Sequence, residues 1–171
     1  MPSRPPLNLP LRRPTPADYA GITMALDDWW GRHQVPGILS RLWFEHFAGT
    51  SWIAHALDGA LAGYLVGFVS PGHPADFVIV SVAVAPGLRR HGVGRRLHEG
   101  AAADALEHGA ARLVEPAWPG DPVAIAFLRA AGFVPEDLPG TRRLYGVPAY
   151  PDQEWGREDR AIFVRELAAE D

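Results

Sequence analysis

The chain has 171 residues and a formal net charge of −4, with 47 % hydrophobic against 21 % charged residues, the balance of one globular domain with a single core. It contains no cysteine, which excludes disulfides, thiolate metal sites and any acyl-cysteine intermediate on this chain. The negative balance speaks against nucleic acid as a partner, and no apolar run approaches the ~18 residues of a membrane helix, so one soluble, cytoplasmic domain over residues 1–171 is expected.

Leu7 to Arg13 reads as a first strand, ended by Pro14. Thr15-Pro16-Ala17-Asp18 then opens a helix, with Thr15 as N-cap, Pro16 at the first helical position and Asp18 near the positive helix end. That helix carries Ile22, Leu26 and Trp30 on one face. A second, about Ile38 to Phe47, sets Leu39, Trp43 and Phe47 at four-residue spacing. From Ser51 the period changes. Ser51 to Leu57 and Ala60 to Val69 are strand-like runs joined by Asp58-Gly59, a hairpin signal. Phe77 to Val84 is a third apolar run, rich in β-branched residues and ended by Pro86-Gly87.

Gly92 to His108 is predicted to be a helix with Val93, Leu97 and Ala101 on one face and Gly109 as its stop. Arg112 to Glu115 is a short strand, and Asp121 caps a helix from Pro122 to Ala131. Gly132-Phe133 begins another strand. Pro135 to Asp159 is rich in Pro, Gly and charge and shows no period. Ala161 to Leu167 closes the chain as a last strand, whose edge, with Ile162 and Val164 to bury, is a place for a homodimer contact. The order of elements describes a mixed α/β domain around one twisted sheet.

The stretch from Ser81 to Leu97 carries the most information. A buried strand runs through Pro86 into Arg89-Arg90-His91-Gly92-Val93-Gly94 and straight on into a helix. Such a helix start leaves backbone N–H groups unpaired and carries partial positive charge. A pyrophosphate satisfies both when its oxygens can approach the backbone closely. Gly92 and Gly94 remove the β-carbons that would block that approach, and Arg89, Arg90, Arg95 and Arg96 surround it with positive charge. A plain surface turn with a solvated basic helix end would show the same residues. The preceding strand and the helix of the right length favour a phosphate site.

At these residues the chain resembles the GCN5-related N-acetyltransferases. Their strand-turn-helix signature is matched by Val82-Ala83-Val84, Pro86, Arg89, Gly92-Val93-Gly94 and Leu97. A second block, a helix ending in Gly-Phe before a strand, is matched by Ala124 to Phe133. The resemblance covers roughly residues 7–167. It implies the GNAT fold, a mixed, mostly antiparallel twisted sheet of six to seven strands flanked by about four helices, and it implies acetyl-CoA as the acyl donor.

The resemblance further implies that strands Phe77–Val84 and Arg112–Glu115 splay apart and admit the pantetheine arm. Main-chain groups of Val82 and Val84 would pair with the arm as an added strand does. N–H groups from Arg90 through His91, Gly92, Val93 and Gly94 to Arg95 would take the pyrophosphate. Phe127 would pack near the thiol end, and Asp121 stands where the family has an asparagine at the start of that helix, with N-capping as its plainer role. A backbone N–H near Val84 would stabilise the oxyanion.

The chain departs from the family at the usual acid and base positions. Val78 stands for the glutamate on the third strand and Leu128 for the tyrosine after the motif phenylalanine. Glu115, at the end of a strand flanking the thioester, is the first candidate for proton transfer, followed by Asp76 with His73 nearby. A strand-end carboxylate facing water is the plainer reading of Glu115. On the acceptor side, Trp29, Trp30 and Tyr150 are candidate contacts for a cationic amine, with Asp27 and Asp28 near them. Core packing is the alternative role for such aromatics. Leu144 to Arg160 reads as a long aromatic loop, a lid over the acceptor. The expected partner is a small-molecule or peptide amine. The histidines show no paired metal-ligand spacing. A sensor module that binds acyl-CoA without turnover is the second reading, supported by Val78 and Leu128. A nucleotide-phosphate binder ranks last, because the turn lacks the Lys-Ser/Thr of a P-loop.

Overall fold

The computed structural model describes residues 7–30, 39–154 and 158–167. Among them are nine strands and four α-helices in the order β1 (Leu11–Arg12), α1 (Asp18–Trp30), α2 (Arg41–His46), β2 (Trp52–His55), β3 (Leu61–Val69), β4 (Asp76–Val84), α3 (Val93–Glu107), β5 (Arg112–Ala117), α4 (Pro122–Ala130), β6 (Val134–Pro135), β7 (Arg142–Leu144), β8 (Val147–Glu154) and β9 (Glu158–Glu166). The sheet runs β1-β2-β3-β4-β5-β9-β8-β7, with β6 also pairing β9. Every pair is antiparallel except β4 with β5. None of the described helices is long and apolar enough to cross a membrane.

The helices divide between the two faces as their apolar spacing requires. On one face α1 and α2 bury Ile22, Leu26 and Phe44 against Ile53, Tyr64, Val66 and Ala83. On the other, Val93, Leu97 and Ala101 of α3 and Ile125 and Leu128 of α4 cover Leu65, Phe77, Ile79, Leu113 and Phe163. The second helix begins later than its spacing suggests, at Arg41 with Ser40 as N-cap, and it buries Phe44. Trp43 and Phe47 instead form a half-buried cluster with Phe68, with ring centroids 4.8–5.9 Å apart.

The chain start is tied to α3. Asp104, buried in α3, accepts both guanidinium nitrogens of Arg13 at 2.6 and 2.7 Å and the Trp52 indole N–H at 2.9 Å. Arg13 also lies 3.5 Å over the Trp52 ring.

Three expectations are corrected. Leu144 to Arg160 is no patternless loop, because its described part supplies β8 and the start of β9. β7 and β8 form a tight hairpin with Leu144 opposite Val147. Its two turn residues, Tyr145 at φ 49° and Gly146 at φ 78°, have the positive φ values that such a turn demands. The last strand is also no free edge, since β5 lies on one side of β9 and β6 and β8 on the other. That removes the sequence argument for a dimer through Ile162 and Val164. Finally the sheet has nine strands among the described residues, not six or seven, because β1 and β6 are two-residue strands and the β7–β8 hairpin was hidden.

Candidate functional site

β4 and β5 start together and then part. Their parallel register covers Asp76↔Arg112, Phe77↔Leu113 and Val78↔Val114 and goes no further. Just beyond, β4 carries a bulge. Val66 of β3 faces Ser81 but Gly67 faces Ile79, so Val80 is an extra residue in the ladder. A bulge bends and twists its strand, which turns the second half of β4 away from β5. The result is a wedge-shaped gap with β4 and β5 as its walls.

The direction of the backbone groups on β4 follows from the register. Ala85 N–H bonds Ala62 C=O on the β3 side at 2.9 Å. In an antiparallel ladder, bonding to one neighbour recurs at every second residue, so Ala83, opposite Tyr64, also turns to β3. Val82 and Val84 therefore project N–H and C=O into the gap, where the Val84 carbonyl accepts Arg89 Nε at 3.2 Å. An extended, amide-bearing ligand fits this open edge.

The gap ends in a turn suited to an anion. A 3-10 turn at Pro86–Leu88 leads to Arg90 at φ 65° and Gly92 at φ 83°, and α3 begins at Val93. Gly92 is the N-cap residue and supplies no side-chain cap. The N–H groups of Val93, Gly94 and Arg95 thus lack partners within the helix. Arg89, Arg90 and Arg95 are exposed beside them. Leu7 N–H bonds the His91 carbonyl at 2.9 Å, so the N-terminal segment braces the turn from outside.

Gly94 has a second reason to lack a side chain. A β-carbon there would lie 3.3 Å from two Phe127 ring carbons and 3.6 Å from Val84 Cγ2. The first turn of α3 meets α4 and β4 at this point, and half-buried Phe127 lies beside the gap mouth. Asp121 caps α4, accepting the N–H groups of Val123 and Ala124 at 2.9 and 3.0 Å. Its carboxylate is committed to the helix.

Glu115 has a partner that sequence reasoning missed. On the α3 side of β5 it bonds His98 Nε2 at 2.7 Å, and the other ring nitrogen, Nδ1, lies 2.8 Å from the Gly94 carbonyl. Both groups are buried, His98 at 1 % exposure. Both ring nitrogens face acceptors, and only the imidazolium has two N–H donors. Burial alone would lower the His98 pKa, but the charge and hydrogen bond of Glu115 with the Gly94 carbonyl outweigh it and raise the value, with Arg165 opposing. Phe127 and Phe133 pack on the imidazole at 5.1 and 5.7 Å. His98 and Glu115 are 17 positions apart on different elements, and no spacing rule joins them.

Asp76 lies where β4 and β5 are still paired, its carboxylate held by Arg112 Nε and a terminal nitrogen at 2.5 and 3.2 Å. Asp76 thereby locks the closed end of the wedge. His73 is exposed in the loop before it.

On the α1–α2 face, Trp29 is half-buried against the second core. The side chain of Trp30 lies outside the described residues. Tyr150 is on β8, on the far side of β9 from β5. Burial first, then the charges of Glu136 and Asp137 in the β6–β7 connection, raise its phenol pKa. The same face holds a second pair absent from the sequence reading: the Tyr64 hydroxyl lies 2.7 Å from Ser81 Oγ.

A parallel strand pair that splays beside a bulge and feeds an uncapped helix start is the architecture of an acetyltransferase fold. The chain belongs to the Acetyltransferase (GNAT) family, whose family model matches residues 19–133. It is 32 % identical over 89 residues to an L-2,4-diaminobutyric acid acetyltransferase from Nocardia farcinica, a match that covers 52 % of this chain and 46 % of that protein. The chain thus spans about half the length of that curated relative. Nourseothricin acetyltransferase is similar in structure at a TM-score of 0.58 and 27 % identity, over 69 % of this chain and 65 % of the other. A phosphinothricin acetyltransferase from Sinorhizobium meliloti, solved with acetyl-CoA, shares the fold at a TM-score of 0.71 and 19 % identity, over 95 % and 90 % of the two chains.

Proposed function

We propose that the chain is an N-acetyltransferase that moves the acetyl group of acetyl-CoA to a primary amine on a small molecule, by direct attack in a ternary complex. The observation that carries this reading is the β4 edge at Val82 and Val84, which β5 does not pair, ending in the uncapped start of α3. In this reading the edge pairs with the pantetheine amides as an added strand. N–H groups from Arg90 to Arg95 take the pyrophosphate, with the guanidinium groups of Arg89, Arg90 and Arg95 around it. Phe127 packs against the thiol end of the arm, and Asp121 acts by fixing the start of α4.

Acetyl-CoA supplies the activated acyl group. The chain holds the thioester in line, excludes water with Phe127 and Val84, and aims N–H groups at the carbonyl oxygen where charge develops. No cysteine is present to take the acyl group, so the amine attacks directly. Glu115 neutralises His98 and supports α3 from below. The ammonium proton leaves through water before attack. Trp29, at the end of α1, is the aromatic candidate for acceptor contact. The small-molecule class is supported by the names of the relatives, which specify diaminobutyric acid and nourseothricin.

Calorimetric titration of acetyl-CoA, with Gly94→Tyr as control, tests this reading. Tyrosine would fill the mouth between Phe127 and Val84, and we expect at least a tenfold loss of affinity with the circular dichroism spectrum retained. Failure of folded wild type to bind acetyl-CoA would overturn the reading. Release of CoA on adding L-2,4-diaminobutyrate or other small amines is the second arm. Tight binding with no release by any amine would favour the sensor reading, to which Val78 and Leu128 point.

A further inference from the structure

The α3–α4 side of the gap is filled by His98, Glu115, Phe127 and Phe133, which leaves the α1–α2 side for the acceptor. On that side the freed half of β4 presents Ser81, directly after the Val80 bulge and past the last β4–β5 pair. Ser81 is half-buried, while Tyr64 is fully buried beneath it with its hydroxyl 2.7 Å from Ser81 Oγ. Leu128, where the family carries an acidic hydroxyl, is buried and apolar.

The order of donors in this pair follows from burial. A phenol at 0 % exposure cannot point its proton at water, and leaving it unpaired costs the full desolvation of the group. Burial also raises the Tyr64 pKa, against a smaller opposing effect of Ser81, so the phenol stays protonated. Tyr64 therefore donates and Ser81 Oγ accepts. The Ser81 proton is then directed away from Tyr64, toward the opened edge.

We propose that Ser81 is a catalytic hydrogen-bond donor to the thioester sulfur as it leaves, and that Tyr64 is the positioning residue that aims it. This rests on the acetyltransferase reading above. The amine nitrogen forms the new bond to the acyl carbon and the C–S bond breaks, its electron pair passing to sulfur. The Ser81 O–H stabilises that anion. The nitrogen's surplus proton then reaches sulfur through water, giving the amide and the free thiol. Ser81 keeps its own proton throughout. Because a thiol has a pKa of ~8.5, a donated hydrogen bond suffices for departure and a strong acid at residue 128 is not needed.

The test compares wild type with Ser81→Ala, Ser81→Thr and Tyr64→Phe, all first shown folded by thermal melting. We expect Ser81→Ala to lower kcat about 100-fold, the scale for loss of one aimed donor, with the affinity for acetyl-CoA unchanged. Threonine should restore most of the rate, and Tyr64→Phe should cost several-fold.

A second readout needs no turnover. Product CoA should bind wild type progressively tighter from pH 7 to 10 as its thiol ionises, and Ser81→Ala should lose that gain. Tyr64, the titratable group bonded to Ser81, remains protonated over this range. His98 and Glu115, on the opposite face, are common to both proteins and cancel in the comparison. Wild type that binds and turns over, with Ser81→Ala equal to it in kcat and in the CoA profile, overturns the role of Ser81. Wild type that binds no acetyl-CoA overturns the underlying reading instead.

Discussion

The two faces of the sheet beneath the gap solve the same problem in opposite ways. Toward α3 and α4, a charged pair, His98 with Glu115, is buried among Phe127 and Phe133 and bonded to the first turn of α3. Toward α1 and α2, a neutral pair, Tyr64 with Ser81, joins β3 to β4. In the charged pair both imidazole nitrogens and Glu115 Oε2 face partners inside the protein, which suits a fixed support. The neutral pair leaves one hydroxyl proton uncommitted, which suits a surface that meets ligand. On the roles proposed above, charge deep on one face would hold and an unshared proton on the other would react.

The largest effect should come from removing the charge of the supporting pair. Glu115→Ala leaves His98 buried without its acceptor, and we expect a loss of about 3–5 kcal/mol in urea unfolding at pH 6. A loss below about 1 kcal/mol would show that the pair supports nothing. The same pair sets a pH dependence. The folded-state pKa of His98 is raised, so its contribution is fully present below the unfolded value near 6.5 and is lost as pH rises through the folded value. Wild-type thermal stability should therefore fall on the alkaline side, and Glu115→Gln should flatten that slope. The neutral pair should matter far less to folding. Tyr64→Phe is expected to cost only about 1 kcal/mol, since Ser81 can turn to water. A cost equal to that of Glu115→Ala would erase the contrast between the faces.

Much of the strand, turn and helix start over residues 82–97 could be read from the chain because it is built from backbone. A turn that needs positive φ, a helix start without a cap and a strand ended by proline all leave local marks in sequence, and residues 86–97 carry each of them. The charged and neutral pairs leave none, since His98 meets Glu115 and Tyr64 meets Ser81 only after the sheet has formed. The β7–β8 hairpin was hidden for a different reason. Its turn uses Tyr145 where asparagine or aspartate is the usual signal, and Pro148 and Pro151 interrupt β8. The bulge at Val80 was illegible as well. Phe77 to Val84 is apolar at every position but Ser81, so no alternation was there to show a break. Asp76 looked available in sequence because Arg112, its partner, is 36 residues away.

That bulge also decides what the protein can lose. Phe77 and Ile79 face the α3 core from odd positions, while Val82 and Val84 reach the same core from even ones. One inserted residue reconciles the two halves. Deleting Val80 would restore an unbroken ladder with regular alternation, because Ile79 and Val82 would then stand two positions apart on the same face. Phe77, Ile79, Val82 and Val84 would all keep to the core face, and what would go is the bend that turns the second half of β4 from β5. The cleft is therefore not insured by the hydrophobic interior: a chain one residue shorter keeps its core and gains a continuous ladder, and loses the gap.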